Sequence, residues 1–270
     1  MVELFSKDLQ GVNFPSSKGN QLKWQAGGEW FKADAAGYEG LSEYMVSHLL
    51  RYSDLPKERY VLYDTEQIRY HDRILLGSRS PNFLAAGSQL FTWERLFRNQ
   101  TGESLYLKTF HIPEVKDRLA FLVSQMEQLL ALGGIGEYLT LLMEVDAVFL
   151  NEDRHYHNIA AILSREGSFQ NSPLFDHGAC LLSDTAWNYP LGEDIYEMIG
   201  RLKSNTIAAT HLDQLDAAEA SYGVQLHFSF GEREIDELLE AEPYYPKEMK
   251  DRVKRILLER RRQMAYLFHQ

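Results

Sequence analysis

Along the first 80 or so residues, apolar positions come in short bursts. The runs "QLKW", "EWFK", "YVLYD" and "DRILLG" are rich in aromatic and β-branched side chains, are broken by turn signals such as "AGGE", and are predicted as strands. One helix interrupts them. In "EGLSEYMVSHLLRY", Leu41, Met45, His48 and Leu49 recur at helical spacing, and Pro56 closes the segment soon afterwards. From "GSQLFTWERLF" onward the texture is helical. "VKDRLAFLVSQMEQLLAL" and "EYLTLLMEVDAVFL" carry long apolar faces separated by "GGIG", a helix end and turn. In "YPKEMKDRVKRILLERRRQMAYLFHQ", Val253, Ile256, Leu257, Met264 and Leu267 fall at helical intervals. The least periodic stretch between the two textures is "GSRSPNFLAAG", residues 77–87. The pattern therefore predicts an α+β protein of two lobes, a small β-rich one with a single helix over 1–80 and a larger, mainly helical one over 81–270.

Composition narrows the class. The chain has 270 residues, 44% hydrophobic and 25% charged, enough for one large globular unit or two modest lobes. Its formal net charge of −11 argues against a nucleic-acid binder or an anionic-membrane binder, since both roles need a basic footprint. Basic residues do gather between Lys247 and Arg262; they read as the solvated face of a packing helix, with docking of an acidic partner as the alternative. Cys180 is the single cysteine, so the chain forms no internal disulfide and no thiolate zinc site. It reads as a small buried side chain. No apolar run approaches the ~18 residues of a membrane span, and no signal core is visible, so a cytoplasmic protein is expected.

The densest chemistry lies in "FLNEDRHYHNI", residues 149–159, where acids, an arginine, histidines and asparagines crowd beside apolar residues. Such groups are costly to desolvate without partners or a task. Asp153 and Asn158 sit five positions apart. In phosphoryl transfer a carboxylate orients the acceptor hydroxyl and takes its proton, and an amide oxygen shortly downstream ligates magnesium. "LFDHGAC" follows, with Asp176 as a hard oxygen ligand released by Gly178. Taken singly, Asp153 and Asn158 also suit turns and helix caps. An extended "DRHYH" would instead turn Asp153, His155 and His157 to one face as transition-metal ligands; the favoured reading has one histidine orienting the loop and the other exposed.

Upstream, "PSSKGNQLKW" combines small residues, a glycine and a lysine before a strand, a composition suited to backbone amides that approach phosphates, and equally to a plain polar turn. "EWFKAD" places Lys32 among apolar neighbours, where an ammonium needs an anionic partner. Glu43 on the following helix is the natural one, with Glu39 in reserve. An edge-strand lysine that discourages aggregation is the alternative for Lys32.

This ordered set resembles the protein-kinase-like fold and, more closely, the HipA-like serine/threonine kinases. "SSKGNQLKW" is similar to the family's phosphate loop, Ser-x-x-Gly-x-Gln-x-Lys, through Ser16, Gly19, Gln21 and Lys23. "NEDRHYHN" is similar to its catalytic loop, Asn-x-Asp-x-His-x-x-Asn, through Asn151, Asp153, His155 and Asn158. "FDHG" resembles its metal-binding segment through Asp176. The resemblance implies ATP and Mg2+ as cofactors. Ser16, Ser17, Lys18, Gly19, Gln21, Lys23, Lys32 and Glu43 would bind the nucleotide and Asn158 and Asp176 the metal, with Asp153 catalytic and His155 in support. It further implies a protein substrate, such as a translation factor or aminoacyl-tRNA synthetase, an antitoxin partner, and self-inhibition by autophosphorylation at Ser16 or Ser17. The extra N-terminal domain of longer members is not expected here. "DRHYHN" with "FDHG" also looks similar to phosphatidylinositol 3- and 4-kinases, so a lipid or small-molecule kinase is the rival enzyme and a pseudokinase interaction module the rival without catalysis.

Overall fold

The computed structural model describes residues 1–10 and 21–269. In chain order the elements are β1 (Val2–Leu4), β2 (Lys23–Ala26), β3 (Glu29–Ala33), α1 (Glu39–Leu49), β4 (Asp64–Tyr70), β5 (Arg73–Pro81), β6 (Gln89–Thr92), α2 (Trp93–Thr101), α3 (Leu105–Phe110), α4 (Val115–Leu130), α5 (Ile135–Phe149), β7 (Ala160–Leu163), β8 (Phe169–Asn171), α6 (Ile195–Arg201), α7 (His211–Tyr222), α8 (Glu232–Ala241) and α9 (Lys247–Gln263). The fold is α+β. Two compact units share the chain: Met1–Asn82, Asp176–Arg201 and His227–Gln270 form the first, and Phe83–Phe175 with Leu202–Leu226 form the second.

In the first unit a five-stranded sheet runs in the order β1-β4-β5-β3-β2, antiparallel except for the β1–β4 pair. Alternation along β3 sends Phe31 and Ala33 to a core with Leu4, Trp24 and Ile68, and so turns Lys32 to the opposite face. Because β3 lies between β5 and β2, Lys32 is not on an edge strand. Nearly all of α1 is buried. Its start is pressed against β5, where a Cβ on Gly40 would collide with the Gly77 carbonyl carbon; Gly77 is in turn pressed against β3, where its own Cβ would collide with the Lys32 carbonyl oxygen. That close approach sets the helix one turn from delivering Glu43 to Lys32.

The strand expected at "YVLYD" starts later, at Asp64. Tyr63 gives its N–H to Ser47 Oγ on α1 at 3.0 Å, so this segment follows the helix rather than pairing in the sheet. The strand itself reads "DTEQIRY", too polar to stand out by alternation, and is held by partners on both sides.

In the second unit α5 is buried along its whole length except at Glu137, with α4 and α7 packed on it. A three-stranded sheet, β6-β7-β8, accompanies the helices. The stretch expected to turn helical at "GSQLFTWERLF" is first a strand. Thr92 then accepts the Arg95 N–H at 3.3 Å and caps α2. Strands of three or four residues are too short for a period-two pattern to register. The apolar run of α5 ends where Leu150 takes a left-handed conformation, φ 58°, and the Asn151 N–H closes on the Asp146 carbonyl at 2.9 Å. A leucine there is uncommon, and it throws the next eight residues out of helical register.

Candidate active site

Lys32 is the centre of the site in the first unit. Its Nζ donates to Glu43 Oε1 and to Asp176 Oδ1, each at 2.7 Å, and lies over the Tyr63 ring at 5.3 Å from the centroid. Burial alone would pull the ammonium down, but the Asp176 and Glu43 carboxylates reverse that and hold it well above its ordinary value. Burial pushes the Glu43 carboxyl up, with Lys32 opposing. Glu43 is fixed from its other oxygen by the His177 N–H at 2.9 Å, and Asp176 donates its N–H to the Tyr63 hydroxyl at 3.4 Å. Ser42, one residue before Glu43, donates its hydroxyl to the carbonyls of His177 and Cys180, at 2.8 and 3.0 Å. The segment carrying Asp176 is therefore stitched to α1. Asp176 itself has φ 62°, a conformation that aspartate tolerates better than most residues.

Glu39, the reserve partner, is used elsewhere: its carboxylate accepts the N–H groups of Ala35, Ala36 and Gly37. Lys23 stands directly opposite Lys32 in the antiparallel register, and antiparallel partners share a face, so both side chains lie on one side of the sheet. Gln21 just precedes β2 and is half-buried. Ser16, Ser17, Lys18 and Gly19 lie outside the described residues. Cys180 is fully buried.

In the second unit, residues 151–158 form a tight loop. Its keystone is Arg154, fully buried, whose Nε lies 3.0 Å from Asp146 Oδ2 on α5. The same guanidinium donates to the carbonyls of Asn158 at 3.0 Å and Phe175 at 2.9 Å. Asn151 bridges the Asp146 carboxylate to the Asp153 N–H, at 2.8 and 3.0 Å. Asn158 Nδ2 donates to the Asp153 carbonyl at 2.9 Å and carboxylate at 3.3 Å. An amide anchored through its NH2 end presents its oxygen the other way, which is the end a hard cation takes.

His155 sits beside Asp153, Nε2 to Oδ1 3.6 Å, and its Nδ1 accepts the His157 N–H at 3.2 Å. The loop is turned rather than extended, with the His155 N–H on the Asp153 carbonyl and the Asn158 N–H on His155. The two imidazoles consequently meet edge to face, and among the described residues Asp153, His155 and His157 do not converge as a metal triad. Asp146 and Arg154 had escaped the sequence reading as site residues. The signal was two acids, Glu144 and Asp146, inside the apolar run "LLMEVDAVFL", each of which needs a partner once buried. Tyr63 left no signal beyond being one of several aromatics.

No protein-family model matches the chain, and neither does any curated protein. Solved structures do. The Helicobacter pylori proinflammatory kinase CtkA matches with a TM-score of 0.62 at 14% identity, covering 98% of this chain and 95% of that one. The chain has the fold of that kinase. The HipA chain in the Shewanella oneidensis MR-1 complex of HipA, HipB and operator DNA matches with a TM-score of 0.49 at 13% identity, over 96% of this chain and 63% of that one. The α+β class expected from the hydrophobic pattern is thus also the class of a solved kinase.

Proposed function

We propose that the chain is a Mg-ATP-dependent serine/threonine protein kinase of the HipA-like type. The observation that carries this reading is Lys32 held at 2.7 Å by both Glu43 and Asp176. A buried ammonium between two carboxylates, one of them on a residue in the left-handed backbone region, is an arrangement that phosphoryl transfer uses.

Each residue has a task. Lys32, oriented by Glu43 and screened by Tyr63, binds the nucleotide's phosphates, with Lys23 adding a second positive charge on that face. Gln21 and the loop residues Ser16, Ser17, Lys18 and Gly19 complete the phosphate contacts. Asp176 and the Asn158 amide oxygen hold magnesium. When bound, the metal neutralises charge on the phosphates and fixes their geometry. Asp153 aligns the acceptor hydroxyl and takes its proton, and His155 keeps that carboxylate in place. The buried Asp146–Arg154 pair keeps the loop in the shape these tasks require.

The substrate is a protein hydroxyl, of a translation factor or aminoacyl-tRNA synthetase, with an antitoxin as partner and the cytoplasm as the site of action. Ser16 or Ser17 is the autophosphorylation site; a phosphate there competes with the nucleotide for the same amides. Intact-mass spectrometry after incubation with Mg-ATP, beside Asp176→Asn, tests the reading. A phosphoryl addition confined to the wild type supports it. A protein that neither gains mass nor binds Mg-ATP by calorimetry is a scaffold, and the proposal fails.

A further inference from the structure

Far along the sequence from the kinase motifs, Asp54, His227 and His269 bring one carboxylate oxygen and two imidazole nitrogens within 4.8 Å of one another. Among the described residues this is the one group of three such ligands that converges. All three belong to the first unit. None is used in the reading above.

The convergence is built by backbone pairing, not by chance contact of long side chains. The Asp54 N–H donates to the His227 carbonyl at 3.1 Å, and the His227 N–H returns to Asp54 Oδ1 at 3.1 Å. The Phe228 N–H donates to the Leu267 carbonyl at 2.8 Å, and the His269 N–H to the Phe228 carbonyl at 2.9 Å. Three separate stretches are thereby locked side by side. Alternation does the rest: Phe228 and Phe268 turn inward and stack at 5.4 Å between centroids, with Phe230 set edge-on to both. Their neighbours His227 and His269 turn outward, stacked at 5.1 Å with 21° between planes. The Asp54 Oδ2 lies 3.6 Å from His227 Nδ1, too far for a hydrogen bond but close enough to share a third body.

We propose that Asp54, His227 and His269 form a site for a divalent transition-metal ion, zinc being the fitting class, which fastens the segment at 265–269 to the segments at 50–54 and 227–230. Two imidazoles and one carboxylate suit zinc, cobalt(II) or nickel(II) and not magnesium, which prefers oxygen ligands throughout. Metal-to-ligand distances of about 2.0–2.2 Å need the three atoms to close by roughly an ångström, which rotation of the exposed His269 and Asp54 side chains supplies. Three protein ligands leave a fourth position for water. The backbone is already ordered, so the ion has only side-chain freedom to remove.

The test uses the full chain, stripped of metal and titrated with cobalt(II) while the visible absorption of a four-coordinate nitrogen–oxygen site is followed. One equivalent is expected, displaced by zinc. In His269→Ala and Asp54→Ala, binding should weaken at least about tenfold, the lower end of what losing even a residue behind a metal ligand costs. His157→Ala should bind as the wild type does. Saturating zinc should raise the melting temperature of the wild type and leave that of His269→Ala unchanged. No cobalt bound to the wild type, equal binding by His269→Ala, or loss of binding in His157→Ala would each overturn the assignment. None of these outcomes bears on the kinase reading, because none involves nucleotide.

Discussion

Lys23 and Lys32 face each other across β2 and β3, two ammonium-bearing side chains on one side of one sheet. Like charges in that position are destabilising unless an anion joins them. Lys32 has two carboxylates at 2.7 Å, and the charge of Lys23 on the same face is one that nucleotide phosphates can meet. Lys23→Gln is therefore expected to weaken Mg-ATP binding about tenfold, the scale of one charge-assisted hydrogen bond. Calorimetric titration checks this. Unchanged affinity would remove Lys23 from the phosphate contacts.

Asp153 should separate chemistry from binding. Asp153→Ala is expected to lower phosphoryl transfer by about a hundredfold or more, the range for a lost general base, with the dissociation constant for Mg-ATP nearly unchanged. Asp176→Ala should instead weaken Mg-ATP binding itself. A variant at 153 with normal turnover would mean that another group takes the proton.

The Asp146–Arg154 pair supports the loop at a cost that its removal should expose. Arg154→Met leaves a carboxylate buried without its cation and is expected to cost about 3–5 kcal/mol in urea unfolding. Asp146→Leu together with Arg154→Met should recover most of that loss, because an apolar pair of similar size has no charge to desolvate. Activity should stay low in the double variant, since the Asn158 and Phe175 carbonyls have lost their donor. Recovery of activity along with stability would show that the arginine only fills space.

Asp34 gives the fold a pH dependence. Burial, with the Glu39 charge second, pushes its carboxyl up to about 7, against the hydrogen bonds from Tyr245 and Gly40. Between its ordinary value of 3.8 and about 7, the folded chain holds a proton that the unfolded chain releases. Stability from this group is therefore full below that window, falls as pH rises through it and is level above. Asp34→Asn should flatten the profile and stabilise the protein at pH 8 by on the order of 2 kcal/mol. Urea midpoints from pH 4 to 8 measure it. A wild type whose stability climbs over that range would contradict the assignment.

What could be read from the sequence followed from burial. The long helices α4, α5 and α9 repeat their apolar positions over four or five turns, enough for the period to register, and the α+β class followed from them. The Lys32–Glu43 pair was legible because an ammonium among apolar neighbours needs an acid, and α1 offers one at each turn. Only the detailed geometry decides between Glu39 and Glu43, since three backbone amides already occupy Glu39. β4 was missed because its charged residues are paid for by pairing on both edges, a tertiary fact with no local trace. Asp54, His227 and His269 were not singled out at all. They lie far apart in sequence, and only the pairing of three stretches makes them neighbours.

The Lys32–Asp176 contact joins residues 144 positions apart. At synthesis rates of about 5–20 residues per second, roughly 7–30 s separate the appearance of the lysine from that of its second carboxylate. In the later part of that interval the growing chain carries β1 to β5 and α1 without the segments at 176–201 and 227–270 that belong to the same unit. Glu43 and the apolar surface of α1 must wait for partners that are not yet synthesised. A chain released early would have the lysine, the helix and the sheet without the second carboxylate that Lys32 holds. The order of the segments thus acts as a timer on the assembly of the first unit.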